Sequence, residues 1–377
     1  MIEVNKKKIL IIVDSITGGG AARIAINKAS WLKGNGFSVV FATLSDSSND
    51  FYSMPEGINR IELDVLSDSK SNLKAILHNL KRLVEINKVI KKEKPDICIG
   101  IMDVSSVLLS ILKLVRRNIT IIGTVHHYPG NQIINAQWRI MRKYSYGFLD
   151  AVVALTDESK TWLETNTNAK KVVSIENCIN WPLKNVEPLV STNLNSGAQK
   201  RMIAVGSLHR KKGFDMLISA FASFSKEFDD WELVIIGDGL EKESLANQAF
   251  NLGLTDKILF PGSVGNMNEW YESSDMFILS SRSEGFPGVL LEAMASGLPV
   301  VSFDCKTGPR DIIENGISGL LVDAGDILGL SSGMKKLASE DDFRQKLGIN
   351  AKFVIDSYQE ERIMKKWVNL FKLLLGN

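Results

Sequence analysis

The chain has 377 residues, 45% of them hydrophobic and 23% charged, with a net charge of +2. That length is long for one ordinary domain and comfortable for two, and it can bury a large core without disulfide staples. Cys98, Cys178 and Cys305 lie far apart and form no CxxC pair, which argues against a structural zinc site and for reduced thiols.

Residues 8–13, KILIIV, follow a basic start. The apolar run is too short for a secretory signal and reads as a first buried strand. No stretch approaches the roughly 20 apolar residues of a membrane span. Further strand-like runs follow at 38–43, 60–65, 96–101, 119–125, 150–155 and 171–176, with helical patterns between them at 21–33, 71–93 and 133–147. Short, near-continuous apolar strands alternating with helices predict a parallel sheet covered on both faces. Residues 181–200, rich in Pro, Asn and Ser, break the pattern and read as a linker. The alternation restarts at 201–206, 231–237, 257–262, 275–280, 298–303 and 319–323, and a helical tail runs over 326–375. The expected architecture is two doubly wound α/β domains. Residues 1–180 form the first and 201–357 the second, with a C-terminal helix over 358–377 directed back toward the first. Ligands are expected in the cleft where strand C-termini meet.

Charge is divided between the halves. Residues 1–180 carry 24 Lys and Arg against 17 Asp and Glu, and residues 181–377 carry 21 against 26. A basic half suits a surface partner, although chance gives the same imbalance. Part of it sits in 71–94, with seven basic and two acidic residues at helical spacing. That segment reads either as a helix seated on anionic lipid or as a solvated face.

Four stretches carry candidate chemistry. In DSITGGGAAR (14–23), glycines between the first strand and a helix allow a phosphate close to the backbone. The stretch is no clean GxGxxG, and no acidic residue is placed as a ribose clamp, which disfavours a nicotinamide cofactor. In GTVHHYPG (123–130), His126 and His127 follow a strand end. Such a histidine either bonds a reacting sugar, acts as a base near neutral pH, or only satisfies loop backbone. In VGSLHRKKGFD (205–215), Arg210, Lys211 and Lys212 form a basic loop after a strand, suited to phosphates or simply solvated. In SRSEGFPGVLLEAMASGLPVV (281–301), Glu284 lies in a loop and Glu292 in a helix that starts near Pro287, a favoured first helical residue. Amides around Gly288 and Val289 suit a diphosphate, and a carboxylate suits paired ribose hydroxyls. As an isolated spacing, two unrelated glutamates fit equally well.

Together these pieces resemble glycosyltransferase family 4, with the GT-B fold of two Rossmann-like domains facing a central cleft. EGFPGVLLEAMASGLPVV is close to the family's donor-binding signature. VGSLHRKKGFD resembles V-G-R-L-x-x-x-K-G, and GPRDIIENGISGLLV (308–322) resembles the closing element G-x-x-E-I-I-x-x-G-x-x-G-L-L-V. The hinge I-P-N-G-x-D is matched by IENCIN (175–180), with Asn177 kept and Cys178 in place of glycine. The resemblance implies a retaining transferase in which Glu284 holds the donor sugar hydroxyls and Glu292 the ribose. Lys212 and Arg210 would neutralise phosphates, and Gly19, Gly20, Gly285, Phe286, Pro287, Gly288 and Val289 would line the donor. His126 would sit beside the anomeric centre. The family's arginine after V-G is Ser207 here, and the glutamate usually preceding Arg23 is Ala22.

From the same resemblance, a UDP-linked hexose or N-acetylhexosamine donor and a lipid-linked or lipopolysaccharide glycan acceptor are expected. The expected location is the cytoplasm, on the inner face of the plasma membrane. No D-x-D motif follows a strand, so no metal and no cofactor are expected; nor is a nucleic-acid partner. Rival readings are a GT-B sugar epimerase or phosphorylase, and a relative that binds nucleotide without turnover.

Overall fold

The computed structural model describes residues 7–66, 72–132, 136–193 and 197–376, with the side chains of 72–75 left out. Ser71 and the Lys74 side chain of the basic segment, residues 133–135 of the third helical pattern and residues 194–196 of the expected linker therefore lie outside the described part. The chain divides into two compact units, Met1–Cys178 with Glu361–Asn377, and Ile179–Glu360.

In the first unit the elements run β1 (Lys8–Val13), α1 (Gly20–Gly34), β2 (Ser38–Thr43), β3 (Asn59–Glu62), α2 (Asn72–Glu93), β4 (Ile97–Ile101), α3 (Met102–Lys113), β5 (Thr120–Val125), α4 (Ala136–Ser145), β6 (Ala151–Ala154), α5 (Asp157–Asn166) and β7 (Val172–Ser174). The strands form one parallel sheet in the order β3-β2-β1-β4-β5-β6-β7. All five residues of β4, ICIGI, are buried, as expected for a strand covered on both faces. The C-terminal helix, Glu360–Leu375, packs its apolar stripe onto this unit. Phe371 meets Phe37 edge to face at 6.2 Å, and Lys366 pairs with Glu176 at 2.6 Å.

The second unit continues with β8 (Lys200–Val205), α6 (Phe214–Phe224), β9 (Trp231–Ile236), α7 (Lys242–Asn251), β10 (Ile258–Gly262), α8 (Met267–Glu272), β11 (Met276–Leu279), α9 (Gly288–Ala295), β12 (Val300–Asp304), α10 (Pro309–Ile312), β13 (Leu320–Asp323), α11 (Ile327–Ser339), α12 (Asp341–Ala351) and α13 (Val354–Tyr358). Its sheet is also parallel, in the order β10-β9-β8-β11-β12-β13. Phe221, Phe224, Trp231 and Phe303 fill one core beside it, and Phe277 is buried edge to face with Tyr271.

The segment read as the linker between the domains is not loose chain. Residues 181–193 are tied to the second unit: Val186 N–H donates to the Gly265 carbonyl, Gly265 N–H to the Pro188 carbonyl, and Asn266 brackets Val190 through both side-chain atoms. The polar composition satisfies these bonds instead of leaving the chain loose.

In each sheet the strand order reverses direction once, between β1 and β4 and between β8 and β11. At such a switch point adjacent loops leave on opposite sides and open a crevice at the strand C-termini.

Candidate active site

The crevice of the second unit is built by the loops after β8 and β11. After β8, a short turn of 3-10 helix carries Arg210–Lys212 and ends at Gly213, in the left-handed region at φ 67°. A Cβ at Gly213 would fall 2.0 Å from the Ser280 carbonyl oxygen, so only glycine lets the two loops meet there. Ser280 Oγ donates to the Lys212 carbonyl and Arg282 N–H to that of Lys211. The Arg282 guanidinium clamps Asp215 through two bonds of 2.7 and 2.6 Å, a geometry that fixes direction as well as distance.

This frame places Lys212 Nζ 2.6 Å from Glu284 Oε1, and Ser281 Oγ donates to the same oxygen at 2.6 Å. The other oxygen, Oε2, has no hydrogen-bond partner among the described residues. Glu284 is buried. Burial by itself raises its pKa, but the Lys212 charge, the two hydrogen bonds and the Lys211 charge outweigh it and hold the carboxyl below its usual range. Glu284 is therefore a carboxylate at neutral pH with one oxygen saturated and one open. Thr307 Oγ1 donates to its backbone carbonyl at 2.6 Å. Gly308, at φ 91°, lets the loop after β12 pass against Glu284 and Pro287, where a Cβ would come within 2.8 Å of the Pro287 ring.

Pro287 is the N-cap of α9 rather than its first residue. Gly288 and Val289 open the helix, so their amides point outward without intrahelical acceptors, at the positive end of the dipole. Glu292, one turn in, is buried and accepts from the Tyr271 hydroxyl at 3.2 Å. Gly285 and Phe286 are buried, and the Phe286 ring lies 5.3 Å from that of Tyr358. Arg210 and Ser207 are exposed, and the Arg210 carbonyl accepts from Arg282. The structure thus gathers Lys212, Glu284, Pro287, Gly288, Val289 and Glu292 around one loop pair and one helix start. The supporting groups Ser281, Thr307 and Tyr271 were not singled out in sequence. Thr307 borders the closing element, whereas nothing local marked Tyr271.

In the first unit, Gly19 caps α1 at φ 85°, and the space where Cβ atoms of Gly19 and Gly20 would stand is open. His126 Nε2 lies 3.0 Å from Thr124 Oγ1. Burial, followed by the charges of Lys28 and His127, pushes its pKa down to about 3. Of the alternatives for this histidine, the hydrogen-bonding one fits a ring that is neutral at pH 7, and the base near neutral pH does not. His127 points elsewhere, with Nε2 3.2 Å from Asp103 Oδ2. Asp103 also accepts from Tyr146 and Gln132 and lies 3.5 Å from Arg142. Asp14, at the end of β1, accepts from Ser105 at 2.8 Å, and burial raises its pKa to about 6. Neither aspartate had a local sequence signal. Among the described residues no group of acidic, histidine and cysteine side chains is arranged to hold a metal ion.

Two parallel doubly wound units with this loop and helix geometry define the GT-B class of glycosyltransferase. Residues 18–180 match the model of Glycosyltransferase Family 4, and residues 189–353 that of Glycosyl transferases group 1. An uncharacterised glycosyltransferase of Haemophilus influenzae is 30% identical over 96% of this chain and 99% of its own. The amylovoran biosynthesis glycosyltransferase AmsD of Erwinia amylovora is 29% identical over 96% and 98%. A Campylobacter jejuni α-1,4-N-acetyl-D-galactosaminyltransferase, named for a GalNAc-extended diNAcBac-PP-undecaprenol, is 25% identical over 96% and 98%. Among solved structures, sucrose-phosphate synthase from Thermosynechococcus elongatus superposes with a TM-score of 0.85 at 18% identity, covering 98% of this chain and 100% of that one. Anabaena HepE with UDP and glucose gives 0.77 at 17%, covering 97% and 99%. The chain belongs to glycosyltransferase family 4.

Proposed function

We propose that this glycosyltransferase moves a hexose or N-acetylhexosamine from a UDP-linked donor, with retention, to a lipid-linked or lipopolysaccharide glycan in surface polysaccharide assembly. The carrying observation is the Glu284 carboxylate, saturated on one oxygen by Lys212 and Ser281 and open on the other, beside the free amides of α9 and Glu292. The helix amides and Lys212 stabilise charge that grows on the departing diphosphate. Glu284 Oε2 accepts sugar hydroxyls and orients the donor. Glu292 accepts ribose hydroxyls. The chemistry needs no metal ion or cofactor. The names of the Erwinia and Campylobacter relatives support a polysaccharide or lipid-linked acceptor, and the HepE complex supports UDP.

The acceptor class implies work at a membrane surface. Among the described residues no helix is long and apolar enough to cross a membrane. α2, however, exposes Ile76, Leu77, Leu80 and Val84 at 52–64% of their surface, alongside exposed Lys81, Lys88, Lys91 and Lys92. An apolar stripe flanked by lysines suits a helix lying in an anionic interface at the cytoplasmic face.

The test is release of UDP from a panel of UDP-hexoses and UDP-N-acetylhexosamines, with and without undecaprenyl-diphosphate-linked glycan. Acceptor-dependent release from one donor is expected. Tight UDP binding with no release from any donor or acceptor would overturn the transfer reading and favour a lapsed relative, as Ser207 in the family's arginine position would suit.

A further inference from the structure

Thr124, the last residue but one of β5, is buried. Its hydroxyl has one proton and two lone pairs, and three neighbours use them. The Gly100 carbonyl lies 3.0 Å from Oγ1, the Met102 amide 3.4 Å and His126 Nε2 3.0 Å. A carbonyl can only accept and an amide N–H can only donate. The hydroxyl proton therefore goes to Gly100, and the oxygen accepts from the other two. Met102 holds a φ of 67°, rare for a residue with a side chain, and this strained corner between β4 and α3 points its amide at Thr124.

From this saturation we infer that Thr124 is a positioning residue that locks His126 in the tautomer protonated on Nε2. Nδ1 is then left with its lone pair. It is buried and has no hydrogen-bond partner among the described residues. His126 and Thr124 line a cavity of the first unit with Lys28, Asn177, Cys178 and Trp367. The Lys28 ammonium stands 3.4 Å over the Trp367 ring. Burial first, and then the charge that Lys28 carries, disfavour a second proton on the ring, in agreement with its low pKa; burial also pulls Lys28 itself down to about 7. Whatever docks on His126 must bring an O–H or N–H donor. A carboxylate or a bare carbonyl would meet a lone pair, whereas a hydroxyl or a water brings the proton that Nδ1 lacks.

His126 is the histidine that the family resemblance sets beside the donor sugar, but the readout of its tautomer needs no donor. The tautomer and the transfer activity can therefore fail separately. The experiment is proton–nitrogen correlation spectroscopy of the imidazoles in nitrogen-15-labelled full-length protein. The chain has four histidines, and loss of one signal set in His126→Gln assigns the ring. Near neutral pH, His126 is expected as a single neutral species with its proton on Nε2. Thr124→Val, close in shape but without the hydroxyl, is expected to give the Nδ1–H form or a mixture, and Thr124→Ser to restore the wild-type pattern. An Nδ1–H ring in the wild type would overturn the inference. So would an unchanged ring in Thr124→Val, or a Thr124→Ser ring that matches the valine variant.

Discussion

Replacing Glu284 with glutamine separates the roles of its two oxygens. Lys212 and Ser281 both bond to Oε1 at 2.6 Å, and the amide oxygen of glutamine can keep both. The amide nitrogen then stands where Oε2 was, presenting protons where the sugar hydroxyl needs an acceptor. The lost interaction is a hydrogen bond to a charged group, worth about 1.5–3 kcal/mol. At about 1.4 kcal/mol per tenfold, kcat should fall roughly ten- to a hundred-fold. UDP lacks the transferred sugar, so its affinity should change little. Because the Oε1 bonds survive, the stability loss should be about 1 kcal/mol, a Tm shift of about 2–4 °C. Steady-state kinetics, UDP calorimetry and a thermal melt measure the three quantities. Near-wild-type kcat, or a fall in UDP affinity as large as the fall in kcat, would refute the assignment of Oε2 to the sugar.

Glu292→Gln should do the reverse, raising KM and weakening UDP roughly ten-fold or more with a smaller change in kcat, because ribose binding changes little between ground and transition states. Turnover should survive EDTA; a loss that Mn²⁺ restores would show that a metal ion takes part. In the first unit, burial would raise the pKa of Asp103, but His127, Arg142 and Gln132 bring it down to about 2 from 3.8. A depressed carboxylate stabilises the fold above its unfolded pKa, and the contribution is lost as pH falls toward the folded one. Wild type should therefore lose about 2 kcal/mol between pH 4 and 2 that Asp103→Asn does not, as chemical denaturation of the two proteins at each pH would measure. Leu77→Glu with Leu80→Glu should abolish co-sedimentation with anionic vesicles at low salt, while leaving UDP binding unchanged.

Much of this was legible because parallel strands buried on both faces leave continuous apolar runs: ICIGI and WELVII announce β4 and β9 directly. The loop pair was legible for a related reason. Gly213 and Gly308 are forced by close backbone approach, and Glu284, Pro287 and Glu292 fall within one short segment around the start of α9. What sequence did not reveal depends on long-range contact. Tyr271 reaches Glu292 from 21 residues away, and Asp103 gathers Tyr146 from 43 residues away. The neutrality of His126 follows from burial, which no neighbouring residue in the chain announces. The segment 181–193 looked like a linker because polar, proline-rich composition does not distinguish a free strand of chain from one hydrogen-bonded to 265–266.

The most direct test of the central claim is an experimental structure of the full chain with UDP bound. The account predicts the diphosphate within hydrogen-bond distance of the Gly288 and Val289 amides and near Lys212, the ribose hydroxyls on Glu292, and Glu284 Oε2 still open beside the β-phosphate. UDP bound away from α9, or with its ribose held by groups other than Glu292, would contradict it.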